Sequence, residues 1–183
     1  IRVLNQSKTV DEWLDAALPE FPLLDADHRT SSNQNVSEEA NSIAIGDAIA
    51  LELVNSSGDE FVNFPKDEAP IILDFWYMGC PPCLKSIPKI QAYLDEQLPA
   101  YANNYLLVNT KEEAGNPMVL SWVEKQGLTA DQLFYVDDAV AELEWGVYSY
   151  PTLWMIKGGE LIAIESGYSE DVFDKIHAFF TQP

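Results

Sequence analysis

Cys80 and Cys83 are the only cysteines of the chain, and they enclose Pro81-Pro82 directly after the apolar run Ile71-Ile72-Leu73-Asp74-Phe75-Trp76. Two residues between the cysteines place both sulfurs in the first turn of a helix, close enough to bridge, with the amino-terminal one facing solvent. Thiol–disulfide exchange is the chemistry that such a pair supports. Cys80 is the expected attacking sulfur, because the unpaired N–H groups and the dipole of a helix N-terminus stabilise a thiolate there. Cys83, one turn further in, is the expected buried resolving thiol. Pro81 and Pro82 have no N–H, which leaves the N–H groups of Cys83 and Leu84 to support the thiolate. Only a moderate fall in its pKa follows. A weakly stabilised thiolate biases the pair toward giving electrons away, as a reductant.

Other uses of two cysteines fit less well. A purely structural disulfide across so short a loop removes little unfolded-state entropy. A zinc site needs about four ligands, and only His28 and His177 could join the cysteines, from a polar segment and from the last helix. No metal is therefore expected. A peroxidase needs a peroxide-reacting thiol in its own pocket, and there is no third cysteine to supply it. With 30 acidic against 10 basic residues the formal net charge is −20, which repels nucleic acid and anionic membrane surfaces. No apolar run approaches the roughly 20 residues of a membrane span. The chain opens on Ile1 rather than Met, so the removal of an upstream segment is expected, and a membrane anchor is one such segment.

The elements that must position the cysteines are readable from periodicity. Ala69–Trp76 is apolar on both faces, as in a strand at the middle of a sheet covered by helices. Leu84, Ile87, Ile90, Tyr93, Leu94 and Leu98 then form a helical stripe, interrupted only by Pro88. Upstream, Ile49–Val54 and Glu60–Phe64 flank the turn-rich Asn55-Ser56-Ser57-Gly58-Asp59 and read as a β-hairpin. Downstream, Tyr105–Asn109 and Leu133–Val136 are strands, a helix runs from about Asn116 to a stop at Gly127, and Ala139–Trp145 is a short helix ended by Gly146. Thr152–Ile156 and Leu161–Glu165 form a second hairpin around Lys157-Gly158-Gly159-Glu160. Ser169 is expected to cap a last helix carrying Val172, Phe173, Ile176, Phe179 and Phe180. Alternating strands and helices closed by a hairpin and a helix indicate an α/β fold with a mixed sheet. Asp11–Phe21 reads as one short amphipathic helix, and the polar stretch after it, Asp27–Asn41, reads as a linker. Residues 1–46 are thus expected to be an extension, and 47–183 the main domain.

Asp74-Phe75-Trp76, Cys80-Pro81-Pro82-Cys83 with Pro88 five residues on, Tyr150-Pro151-Thr152 and Lys157-Gly158-Gly159-Glu160, in this order, resemble the thioredoxin superfamily. The leading hairpin, the segment from Asn109 to Trp145 and the Pro-Pro dipeptide are most similar to TlpA/ResA-like thiol–disulfide oxidoreductases. The resemblance implies a three-layer α/β/α sandwich with a central mixed sheet, an N-terminal β-hairpin and an inserted helix-containing segment. It also implies a buried carboxyl, Asp74, behind the cysteines, able to take a proton from Cys83. A substrate surface of Trp76, Gly79, Pro81, Pro82, Tyr150 and Pro151 follows, with the Tyr150–Pro151 bond cis and the backbone of Tyr150 free to pair with a substrate strand.

The implied partners are protein thiols and disulfides and an upstream electron donor. No cofactor is needed besides the Cys80–Cys83 disulfide, and the resemblance implies an extracytoplasmic location, periplasmic or envelope-associated. A disulfide-forming oxidant would use the same residues, and a thioredoxin-like binding or chaperone module would need neither sulfur. One departure stands out. Such proteins commonly carry Trp before the first cysteine, whereas this chain has Tyr77-Met78-Gly79, which should leave Cys80 more accessible.

Overall fold

The computed structural model describes residues 42–182, so the helix expected at Asp11–Phe21 and the polar stretch Asp27–Asn41 lie outside the described residues. Strands β1 (Leu51–Asn55), β2 (Phe61–Phe64), β3 (Ile71–Trp76), β4 (Tyr105–Asn109), β5 (Leu133–Tyr135), β6 (Thr152–Lys157) and β7 (Glu160–Ser166) form one mixed sheet in the order β2-β1-β5-β4-β3-β6-β7. Helices α1 (Pro81–Gln97), α2 (Pro117–Lys125) and α3 (Val172–Thr181) complete the framework. Strand β3 pairs in parallel with β4 and antiparallel with β6, and β4 pairs in parallel with β5. The ends Trp76, Asn109 and Tyr135 therefore meet at one edge, the carboxyl edge where open α/β sheets place their sites.

Side chains alternate across β3 with the period of two that a strand imposes. Ile72 and Trp76 pack with Ile87, Ile90 and Leu94 of α1, Val119 and Val123 of α2, and Ile176 and Phe180 of α3. Leu73 and Phe75 face the other way, onto Leu106, Val108, Trp145 and Trp154. There Phe75 meets Trp154 edge-on with ring centroids 5.1 Å apart. Fully burying each such side chain stabilises the fold by about 1.5–3 kcal/mol. The three α-helices all pack on the first face. The second is covered more thinly, by a π-helical turn at Val140–Glu144 with Trp145 and Val147, where a short helix was expected.

Both expected hairpins form. Gly158 and Gly159 have φ of 62° and 80°, a pair of left-handed residues that suits a two-residue loop between twisted strands. α1 continues through Pro88 to Gln97. The expected Ser169 cap does not form: α3 starts after Asp171, and the Ser169 hydroxyl bonds the Asp171 carboxylate instead of a helix N–H. Among the described residues no helix is long and apolar enough to cross a membrane.

Candidate redox site

Cys80 is the N-cap of α1, with extended backbone at φ −99° and ψ 95°, and Pro81 and Pro82 occupy the first helical positions. Proline suits these positions, because their N–H groups have no partner inside the helix. Cys80 and Cys83 are joined by a disulfide with Cα atoms 5.3 Å apart. The N–H of Cys83 donates to Cys80 Sγ at 3.2 Å. The N–H of Leu84, expected as a second donor, goes instead to the Cys80 carbonyl at 3.1 Å, because the first turn of the helix claims it. The sulfur thus has one backbone donor, not two.

Cys80 is 3% exposed and Cys83 is fully buried. The expectation of a more accessible Cys80 is not met in the disulfide form. Where a tryptophan was missed from the sequence, Tyr77 folds back over Gly79: a Cβ on Gly79 would lie 2.9 Å from Tyr77 Cε2. The Tyr77 ring in turn meets Tyr150 edge-on, 5.2 Å between centroids. Gly79, Pro81 and Pro82 are exposed, Tyr150 is half-buried and Pro151 is buried. The Tyr150–Pro151 bond is cis, as is Phe64–Pro65. The Tyr150 hydroxyl accepts from Thr110 Oγ1 at 3.0 Å and donates to Asp138 at 3.3 Å, and the Lys111 ammonium lies 5.6 Å from the Tyr77 ring centre and 5.7 Å from that of Tyr150. The two loops that flank the disulfide are tied together through these side chains.

Asp74 is fully buried on the face of β3 that carries Ile72 and Trp76, the face on which Cys80 and Cys83 pack. Tyr105 at the start of β4 donates its hydroxyl to Asp74 Oδ2 at 2.5 Å, and Oδ1 has no partner. Burial raises the Asp74 pKa from 3.8 to about 7, against the lowering effect of the Tyr105 hydrogen bond. Burial and the Asp74 charge push the Tyr105 phenol well above its usual range, so it stays a donor. Trp76 does not reach the surface. Its ring is fully buried, 5.0 Å from Trp122, which places it in the core rather than among residues a substrate meets.

Sequence reasoning missed Tyr105, Asn109 and Glu112. The cue for Asn109 was its position at the end of an apolar strand, where Asn side chains bond backbone two or three residues on. It does so here, to the N–H groups of Lys111 and Glu112. Tyr105 carried no local cue. Among the described residues no group of three or more His, Cys, Asp or Glu side chains is arranged to hold a metal ion, and His177 on α3 bonds the Tyr93 hydroxyl at 3.1 Å.

A mixed sheet with a bridged C-x-x-C at the mouth of its central helix, opposite a cis-proline loop, defines a thioredoxin-like thiol–disulfide oxidoreductase. No protein-family model matches the chain. The thioredoxin of Haemophilus influenzae is 28% identical over 114 residues, which are 62% of this chain and 80% of that protein. The sporulation thiol-disulfide oxidoreductase A of Bacillus subtilis is 27% identical over 111 residues, 58% of this chain and 64% of that protein, so the match spans just under two thirds of its length. Among solved structures, the pneumococcal exposed lipoprotein thioredoxin of Streptococcus pneumoniae superposes with a TM-score of 0.51 at 26% identity, over 74% of this chain and all of that one. In sequence and in fold the chain is similar to thioredoxin-like thiol–disulfide oxidoreductases, the group that the TlpA/ResA-like resemblance also pointed to.

Proposed function

We propose that the protein reduces protein disulfides, with Cys80 as nucleophile, Cys83 as resolving thiol and Asp74 as proton acceptor. The Cys80 thiolate attacks one sulfur of a partner disulfide. That bond breaks, a mixed disulfide forms, and the partner's other sulfur leaves as a thiolate. Cys83 then passes its proton to the Asp74 carboxylate and attacks Cys80 Sγ, releasing the second partner sulfur. Two electrons have moved to the partner, and Cys80–Cys83 is left as a disulfide. A second dithiol, the upstream electron donor, returns the pair to the reduced form by the same steps in reverse.

The observation that carries the direction is the single backbone donor to Cys80 Sγ. A helix N-cap ordinarily receives N–H groups from its second or third residue. Here the second is Pro82, which has none. A thiolate held by one donor is poorly stabilised, so the reduced pair gives up its electrons readily. The half-satisfied, raised-pKa carboxyl on the same sheet face supports the role of Asp74. Gly79, Pro81, Pro82 and Tyr150 form the surface that meets the partner, with the buried Pro151 directly behind Tyr150. The oxidoreductase domain runs over residues 47–183, with 1–46 as an extension. The work is extracytoplasmic, in keeping with the likeness to a pneumococcal exposed lipoprotein.

The test is the reduction potential of the Cys80–Cys83 pair, measured by equilibration in defined thiol buffers and trapping of free thiols. A value near or below about −250 mV, close to the −270 mV of thioredoxin, supports a reductant, and one near about −120 mV makes the protein a disulfide donor.

A further inference from the structure

The loop that delivers Cys80 is gripped from the side by a carboxylate. The N–H of Met78, two residues before Cys80, faces both oxygens of Glu112, 3.2 Å from Oε1 and 3.1 Å from Oε2. Glu112 is itself fixed from behind. Asn109 Nδ2 donates to Glu112 Oε2 at 2.7 Å, and Asn109 Oδ1 accepts the N–H of Glu112 at 2.9 Å. Asn109 is fully buried and stands in register with Trp76 across the β3–β4 ladder, so the grip is anchored on the paired ends of two central strands. The N–H of Thr110 adds a further tie, to the Trp76 carbonyl at 3.2 Å.

The charge of Glu112 is not cancelled locally. Among the described residues it forms no ion pair, and its neighbour Lys111 is held by Asp138 at 2.6 Å and Glu142 at 3.9 Å. Asp74 lies on the sheet face on which the cysteines pack, Lys111 sits over the Tyr77 and Tyr150 rings, Lys85 is an exposed residue of α1, and Glu112 bonds the N–H two residues before Cys80. A negative charge fixed near a thiol opposes its ionisation, while an uncharged disulfide does not feel it.

We propose that Glu112 is a positioning residue of the redox loop, and that its charge, held in place by Asn109, disfavours the Cys80 thiolate and so biases the pair toward the disulfide. The proposal rests on the redox reading of the cysteines and gives the reductant direction a second source, independent of Pro82.

The experiment compares wild type with E112Q, E112A and E113Q. Two quantities are read: the Cys80 thiol pKa, from the pH dependence of alkylation, and the dithiol–disulfide equilibrium in glutathione buffers. E112Q keeps an oxygen for the Met78 N–H and loses the charge. It is expected to lower the thiol pKa and to move the equilibrium about threefold toward the dithiol, which is about 15 mV. E112A loses the same charge and is expected to shift at least as far, so it serves if E112Q folds poorly. E113Q removes an exposed neighbouring charge and is expected to match wild type. An E112Q equal to wild type, or an E113Q that shifts as much, overturns the proposal. A wild-type potential in the oxidant range would overturn the reductant reading but leave the difference between E112Q and wild type measurable.

Discussion

Tyr105 gives its hydroxyl to one oxygen of Asp74, while the other oxygen of that carboxyl, equally buried, has no partner. The pair spans adjacent parallel strands, with Tyr105 in register beside Ile72, two residues back from Asp74. A carboxyl satisfied on one side only is unusual in a core, where a lone ionised group is costly. With a pKa near 7 it gains and loses its proton close to neutrality.

The stability of the oxidised protein should therefore fall as pH rises. Asp74 ionises at 3.8 in the unfolded chain and about 7 in the folded one, so between these values the folded state holds one more proton. Stability is greatest below pH 3.8 on this account, declines through the window to about 7 and stays lower above it, by up to about 4 kcal/mol at 1.36 kcal/mol for each pH unit. Asp74→Asn removes the titration. Urea unfolding from pH 4 to 8.5 should show the mutant's curve flatter and its stability higher than wild type above pH 7; parallel curves would rule out the shift.

Resolution of the mixed disulfide should depend on the same proton. As a base, Asp74 must be ionised, so the release of reduced partner should quicken as pH rises through about 7. Asp74→Asn should slow that step on the order of 10²-fold and erase the inflection. Single-turnover mixing with a disulfide peptide, quenched by acid, reads both. An unchanged inflection in the mutant would assign it to another group.

Tyr105→Phe separates the hydrogen bond from the burial. The bond lowers the Asp74 pKa, so its loss should move the inflection to higher pH, slow exchange at pH 7 and restore it in more alkaline buffer. A destabilisation of about 1–3 kcal/mol should accompany it. If the rate falls equally at every pH, Tyr105 acts by packing alone.

Pro82→Ala should restore the N–H that the N-cap sulfur lacks. The Cys80 thiol pKa should drop and the pair should become a weaker reductant, by about a few-fold to tenfold in the dithiol–disulfide equilibrium. Thiol titration by ultraviolet absorbance of the reduced variant measures this. A pKa equal to wild type would mean that proline chemistry does not set the direction.

The strand β3, the cysteines at the mouth of α1 and both hairpins were legible because each rests on short-range signals: an apolar run, a C-x-x-C spacing, glycines at a turn. Asp74 was visible as the one charged residue in that run. What stayed hidden depends on which groups compete in three dimensions. Leu84 offers an N–H in the sequence, but the helix ladder takes it for the Cys80 carbonyl. The gap beside Gly79 is closed by a ring from Tyr77, a fold-back that no propensity encodes. Tyr105 and Glu112 act on residues 31 and 34 positions away, and only the pairing of β3 with β4 brings them there.

Cys83 is enclosed among the residues that hold the helices to the sheet. Breaking and making its sulfur bond is therefore also a change in the core, and the redox couple and the folding equilibrium close a thermodynamic cycle. Whatever the folded state adds to the preference for the disulfide must reappear as extra unfolding free energy of the oxidised form over the reduced one, at about 1.4 kcal/mol for each 30 mV. Two denaturation curves, one for each redox form, would thus weigh electron affinity with urea alone.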